Sequence, residues 1–318
     1  MTIEMRVHAL TWQAEGVIGV ALQPCAPGVA LPAAEPGAHI DLTLPDGSRR
    51  SYSLIEPDPA PHSYQIAVGL DRASRGGSRW IHENLRPGAC LPVAEPTNQF
   101  PLDESAATSV LIAGGIGITP ILSMVRRLSA IGRKWELHYA CRTRRQAAFV
   151  DTLRELAEHT GATLALHWDQ EAGGTPIAVA DVVAVAPADA HLYCCGPTGM
   201  LEAFRTACST RPARNVHFEY FATDVEAATQ GGFSVVLARR GVALTVAAGQ
   251  SILDTLEAAG IELPYSCREG ICGTCEVRVL AGEPDHRDMV LDETRRAAND
   301  RMMICCSGAR SASLTLDI

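Results

Sequence analysis

The chain has 318 residues and eleven cysteines, is 47% hydrophobic and 20% charged, and carries a net charge of −9. That apolar content excludes a disordered chain, and no apolar run reaches the roughly 18 residues of a membrane-spanning helix. The acidic balance argues against a nucleic-acid partner, whose phosphates call for a basic face. Eleven cysteines behind an N-terminus (MTIEMRVHALTWQ) that lacks the basic-then-apolar layout of an export signal read as reduced thiols or metal ligands in the cytoplasm.

Residues 1–104 read as short strands broken by turns. Alternation shows in His39 to Leu44 and in Tyr64 to Val68, with Pro45-Asp46-Gly47 as a turn. The spacing predicts a small antiparallel barrel, with one helix near Ser78 to Leu85 stopped by Pro87-Gly88. Arg50-Ser51-Tyr52-Ser53-Leu54 puts an arginine, an aromatic ring and hydroxyls on one strand. Arg75-Gly76-Gly77-Ser78 then precedes the helix, a place suited to a phosphate.

Residues 105–222 alternate apolar runs (109–113, 135–140, 162–167, 190–194) with helix-length segments, the pattern of buried parallel strands with crossover helices. Ala113 to Pro120, AGGIGITP, follows a strand and opens a helix, with Thr119 as the expected N-cap and Pro120 as the first helical residue. Its glycines let a diphosphate approach the backbone, although a glycine turn before a helix can also be purely structural. Tyr193-Cys194-Cys195-Gly196-Pro197-Thr198 ends another strand at the carboxyl edge, where open sheets bind ligands. His217 to Phe221 reads on its own as core strand.

Residues 223–232 are small and polar and end in paired glycines, which predicts a linker. Residues 233–318 begin with a hairpin turning at Arg239-Arg240-Gly241, then a helix from about Ser251 to Ala259. Cys267-x4-Cys272-x2-Cys275, with a distant cysteine beyond, is the plant-type [2Fe–2S] spacing. Gly270 and Gly273 sit where the loop must wrap inorganic sulfide. A four-cysteine zinc site would usually show two Cys-x2-Cys knuckles, and here there is one. Cys305 and Cys306 are adjacent, so spacing alone does not choose the fourth ligand.

Taken together, RSYSL, RGGS, AGGIGITP, YCCGP, HFEYF, SCREGICGTC, AGEPDHRDMVL and ICCSGARS resemble the phthalate dioxygenase reductase family over essentially the whole chain. The resemblance implies three modules: a flavin barrel, a nicotinamide-nucleotide α/β domain and a C-terminal α+β, β-grasp ferredoxin domain. It implies that Arg50, Ser51 and the segment Arg75, Gly76, Gly77 and Ser78 hold the phosphate of FMN. Tyr52 then lies against the isoalloxazine and Ser53 near its N5. Gly114, Gly115, Gly117, Thr119 and Pro120 line the nicotinamide side, with Cys195, Gly196 and Pro197 beside the hydride path and Phe221 covering the flavin. By the same resemblance Cys305 joins Cys267, Cys272 and Cys275 as iron ligand. Arg142, Arg144 and Arg145 stand where NADH-specific members can carry an acidic residue, so NADH is expected and NADPH is possible. The implied activity passes electrons from NADH through FMN and the cluster to a separate Rieske-type oxygenase acting on an aromatic acid, from a monomeric reductase. A flavin or quinone reductase is the alternative, and a non-catalytic ferredoxin-like carrier fits the intact upstream motifs poorly.

Overall fold

Alternating burial in the first hundred residues builds a six-stranded antiparallel sheet. In chain order its elements are β1 (Thr2–Ala14), β2 (Val17–Pro24), β3 (His39–Thr43), β4 (Arg49–Ser53), β5 (Tyr64–Gly69), α1 (Gly77–Asn84) and β6 (Cys90–Ala94). The strands are ordered β4-β3-β6-β1-β2-β5. An isolated antiparallel bridge between Leu54 and Ile66 joins the two edges and closes a barrel. Met5, Val7, Leu22, Ile40, Leu42, Ile66 and Val68 fill it. The computed structural model describes residues 2–71, 76–171, 173–174, 176–221 and 225–318. Arg75, expected at the phosphate, lies outside the described residues.

The next module is a parallel sheet: β7 (Thr108–Gly114), α2 (Ile118–Ala130), β8 (Lys134–Cys141), α3 (Val150–Thr160), β9 (Thr163–Trp168), α4 (Val179–Val185), β10 (His191–Cys195), α5 (Thr198–Ala207) and β11 (Val216–Glu219). The order is β11-β10-β7-β8-β9, every pair parallel. β8 lies on one side of β7 and β10 on the other. The crevice beyond the carboxyl ends of β7 and β10 is therefore the point where the winding reverses, which is where such sheets take ligands. This module and the barrel share an apolar core. Ala14, Val17, Ile55 and Ala67 of the barrel pack with Phe100, Leu111, Ile118 and Leu122. Arg126 Nη1 adds a bond to the Ile55 carbonyl (2.8 Å) and a pair with Glu56 (3.0 Å). The chain accordingly divides into two compact units, residues 1–221 and 222–318.

The second unit holds β12 (Phe233–Leu237), β13 (Val242–Val246), α6 (Ile252–Ala258), β14 (Glu276–Ala281), β15 (Pro284–Asp285), α7 (Glu293–Ala298), β16 (Arg301–Met303), β17 (Gly308–Ala309) and β18 (Ser313–Leu316). Its main sheet runs β13-β12-β18-β14-β16, with β12 and β18 parallel and the other pairs antiparallel. α6 starts in a capping box: Ser251 Oγ accepts from the Asp254 N–H (3.1 Å), and the Asp254 carboxylate accepts from the Ser251 N–H (3.0 Å). Ile252, Leu253 and Leu256 then pack onto Val235, Val246 and Leu314 in a separate core.

Candidate redox centres

The crevice at the winding reversal is made of backbone. Gly117 lies so close to β10 that a Cβ on it would stand 2.3 Å from the Cys195 carbonyl oxygen. A Cβ on Gly114 would meet Pro197 Cδ at 2.6 Å, and one on Gly196 would meet Met200 Sδ at 2.7 Å. Three glycines thus let the loops after β7 and β10 press together, and Gly115 supplies a left-handed turn (φ 53°). Tyr139 Oη fixes that turn, donating to the Gly115 carbonyl (3.3 Å) while accepting from the Ala148 N–H (3.2 Å).

The helix does not start where Thr119 and Pro120 predict. Residues 115–117 form a 3-10 turn that runs directly into α2, so the helix begins at Ile118 with Gly117 as its N-cap. Thr119 is already helical, and its hydroxyl donates back to the Ile116 carbonyl (3.0 Å). Pro120 follows inside the first turn, where its missing N–H costs no helix bond.

Cys195 is fully buried, and desolvation pushes its thiol well above the ordinary value. Its register neighbour on β11 is Glu219. The Glu219 Oε2 atom is buried without a hydrogen-bond partner, and burial raises the carboxyl to about 8. Phe221, two residues on, remains 36% exposed.

On the barrel side, β4 alternates. Arg50 and Tyr52 pair with Leu42 and Ile40, and Ser51 and Ser53 pair with Asp41 and His39. A Cβ on Gly77 would lie 2.4 Å from Arg50 Nε, so the Arg50 side chain runs across the first turn of α1. Gly76, left-handed at φ 98°, turns the chain into that helix. A guanidinium across a helix start favours an anion by its own charge and by the positive end of the helix dipole. Tyr52 packs on the barrel core, and burial pushes its phenol up. Ser53 is 4% exposed, whereas Ser51 is exposed and donates to Asp41 Oδ1 (2.6 Å). Ile116 of the nucleotide loop comes within 3.2 Å of a Cβ placed on Gly69 at the end of β5. The barrel and the crevice therefore meet beside these residues.

At the carboxyl ends of β8 and β9 lies a cleft of about 520 Å³ lined by Trp12, Arg144, Arg145, Arg154 and Trp168, among others. Arg144 stacks on Trp168 (5.7 Å to the ring centre) and pairs with Glu171 (3.0 Å). Arg142 is exposed at the same edge.

In the second unit, Gly270 (φ 71°), Gly273 (φ 73°) and Arg268 (φ 59°) turn the cysteine loop through left-handed backbone. Arg268 is the only one that pays for a Cβ there. Its guanidinium is tied to Asp254 (2.8 Å) and Glu257 on α6 and lies over Tyr265. Thiol contacts link Cys272 to Cys267, Cys267 to Cys305 and Cys305 to Cys275. Hydrogen bonds from the Cys272 and Cys305 thiols and from the Glu269 and Ile271 amides hold Cys267 far below the ordinary thiol range. The proton sharing is uneven: Cys267 and Cys275 are held low, while Cys272 and Cys305, which donate to them, are pushed up, and iron takes the thiolate form. Cys306 also contacts the Cys305 thiol, and its Sγ stands 2.4 Å from where a Gly270 Cβ would be.

Residues 235–310 match the family of 2Fe-2S iron-sulfur cluster binding domains, and residues 111–206 the oxidoreductase NAD-binding domain. Phenoxybenzoate dioxygenase subunit beta of Ectopseudomonas oleovorans is 50% identical over 99% of this chain and 97% of its own. Tetrachlorobenzoquinone reductase of Sphingobium chlorophenolicum is 48% identical over 100% and 98%. The solved phthalate dioxygenase reductase, described as a modular structure for electron transfer from pyridine nucleotides to [2Fe-2S], aligns with a TM-score of 0.77 at 35% identity, covering 100% of this chain and 98% of its own. The chain belongs to the phthalate dioxygenase reductase family. As a member it is an oxidoreductase with an NAD-binding domain and a 2Fe–2S domain. Among the described residues no helix is long and apolar enough to cross a membrane. For this reductase, sequence reading passed over Glu219, which looks like core strand until the β10–β11 register puts it beside Cys195.

Proposed function

We propose that this chain is the reductase component of a two-component oxygenase system, working as a cytoplasmic monomer that passes electrons from NADH to a separate Rieske-type oxygenase acting on an aromatic acid. The observation that carries the proposal is the union in one polypeptide of a backbone-lined crevice at a sheet reversal and a cluster of four thiols in contact, three from one loop and Cys305 from beyond β16. FMN and a [2Fe–2S] cluster, when bound, supply the conversion from two-electron hydride chemistry to one-electron transfer.

The residues divide the work by position. Arg50, with the α1 N-terminus at Gly76, Gly77 and Ser78, holds the FMN phosphate, and Arg75 belongs to the same segment. Tyr52 packs against the ring, with Ser53 at its reactive edge. Gly114, Gly115 and Gly117 keep side chains out of the nicotinamide's way, and Thr119 and Pro120 hold that loop in a fixed turn. Cys195, Gly196 and Pro197 form the opposite wall. Phe221, partly exposed at the end of the parallel-sheet module, would cover the flavin. Arg142 and the Arg144–Glu171 pair receive the adenosine end. Glu171 favours a ribose bearing free hydroxyls over one bearing a 2′-phosphate, because a second anion beside a carboxylate is repelled. Cys267, Cys272, Cys275 and Cys305 hold the cluster. No side chain need act as acid or base in hydride transfer, so the protein contributes orientation and exclusion of water.

A second reading, an NAD(P)H-dependent quinone reductase, is favoured by the 48% identical tetrachlorobenzoquinone reductase. The two separate in one experiment. The purified holoprotein is given NADH and either a chlorinated benzoquinone or a panel of Rieske oxygenases, with acceptor reduction followed in each. Faster reduction of one oxygenase, coupled to hydroxylation of its aromatic acid, supports the reductase component. Efficient quinone turnover with no oxygenase reduced would replace it with the second reading.

A further inference from the structure

Two thiols on the barrel, Cys25 and Cys90, belong to neither redox centre. Cys25 follows β2 directly and donates its N–H to the Glu4 carbonyl (2.9 Å). Cys90 opens β6 and pairs in register with Arg6. β1 runs between β2 and β6, so the two cysteines flank the same strand from opposite sides. Their sulfurs are nevertheless 2.8 Å apart, with the Cys25 S–H donating to Cys90 Sγ. A disulfide of about 2.05 Å would close that gap by less than 1 Å.

Accessibility separates this pair from the other thiols outside the iron-ligand set. Cys90 is exposed and Cys25 partly so, whereas Cys141, Cys194, Cys195, Cys208 and Cys306 are buried. Sharing its proton with Cys90 holds the Cys25 thiol above its ordinary value. Cys90 is then the acceptor sulfur on the solvent side, and Cys25 the protonated partner behind it.

We propose that Cys25 and Cys90 form a peroxide-oxidisable dithiol, a modification site on the barrel that closes to an intramolecular disulfide. Cys90, having lost its proton to water, attacks one oxygen of hydrogen peroxide. An S–O bond forms, the O–O bond breaks, and the departing hydroxide takes up a proton to become water. The Cys25 sulfur then displaces the hydroxyl of the resulting sulfenic acid. The S–S bond forms, the S–O bond breaks, and the Cys25 proton leaves with the oxygen as a second water. Two thiols lose two electrons in total and one peroxide is reduced to two waters. The bridge ties the end of β2 to the start of β6 across β1, joining positions 65 apart in the chain. Restricting the unfolded chain in this way raises the melting temperature of the oxidised form. The proposal stands independently of which acceptor the protein serves.

The test uses the full-length holoprotein. It is treated with low equivalents of hydrogen peroxide, alkylated, digested and mapped by mass spectrometry. The expected product is a Cys25–Cys90 linked peptide that dithiothreitol reverses, with a higher melting temperature before reduction than after. Cys25→Ser should lose the linked peptide and instead yield a dimedone adduct at Cys90. Oxidation of wild-type Cys90 to sulfinic acid without a linked peptide would overturn the proposal. Linkage of Cys90 to any other cysteine would do the same.

Discussion

Gly117 and Cys195 meet backbone to backbone, with the Cys195 carbonyl oxygen 2.3 Å from the place a Gly117 Cβ would occupy. The backbone of Gly117 is right-handed (φ −60°), so its glycine is required by space and not by conformation. Gly117→Ala should therefore push the loops after β7 and β10 apart. Overpacking of this kind costs about 1–3 kcal/mol. The variant should melt lower than wild type and lose most NADH-dependent reduction, while retaining iron and cluster absorbance in the separate second unit. Calorimetry and NADH–ferricyanide assays check both halves.

Glu219 gives a pH dependence of defined sign. Its carboxyl is raised from 4.5 to about 8 by burial. The folded state then holds a proton that the unfolded chain has released, so stability falls as pH rises between those values and the full penalty is present above about 8. Its size is on the order of a few kcal/mol. Glu219→Gln removes the ionisable group, and its denaturation midpoints should flatten across that window relative to wild type. Urea titrations at a series of pH values check this.

Much of this was readable before any coordinates. The parallel strands are continuous apolar runs, the cysteine loop has a spacing that few other sites share, and Arg239-Arg240-Gly241 marks its hairpin directly. What escaped depends on non-local geometry. Thr119 looks like an N-cap because hydroxyls before proline usually are, but the 3-10 turn at 115–117 moves the helix start two residues back. Glu219 gains its meaning only from pairing with β10. The barrel and the parallel sheet share a core through Ala14, Val17, Ile55 and Ala67, which no local pattern announces.

The adjacent cysteines near the C-terminus should behave differently. Cys305 contacts the Cys267, Cys275 and Cys306 thiols, whereas Cys306 touches only Cys305 among them, packs on Gly270 and has its Sγ 3.8 Å from the Met303 carbonyl. Cys305→Ser should lose most bound iron, and Cys306→Ser should keep it. Iron analysis with electron paramagnetic resonance of the reduced proteins discriminates the two. Iron retained in the first and lost in the second would reverse the assignment.

Coenzyme choice should turn on Glu171. Paired to Arg144 at 3.0 Å, it places a carboxylate beside the arginine-rich cleft. Glu171→Gln frees the guanidinium and removes a repelling charge. The ratio of kcat/KM for NADPH to that for NADH should rise by about ten-fold, which is about 1.4 kcal/mol. An unchanged ratio would place the adenosine elsewhere.

The relay order is the central claim, and Cys272→Ser tests it most directly. Reconstituted with FMN, this variant is mixed with NADH in a stopped-flow instrument, and flavin bleaching and cytochrome c reduction are recorded together. Flavin reduction should proceed at the wild-type rate with cytochrome c reduction largely lost. Equal loss of both, or cytochrome c reduction at full rate without the cluster, would contradict that order.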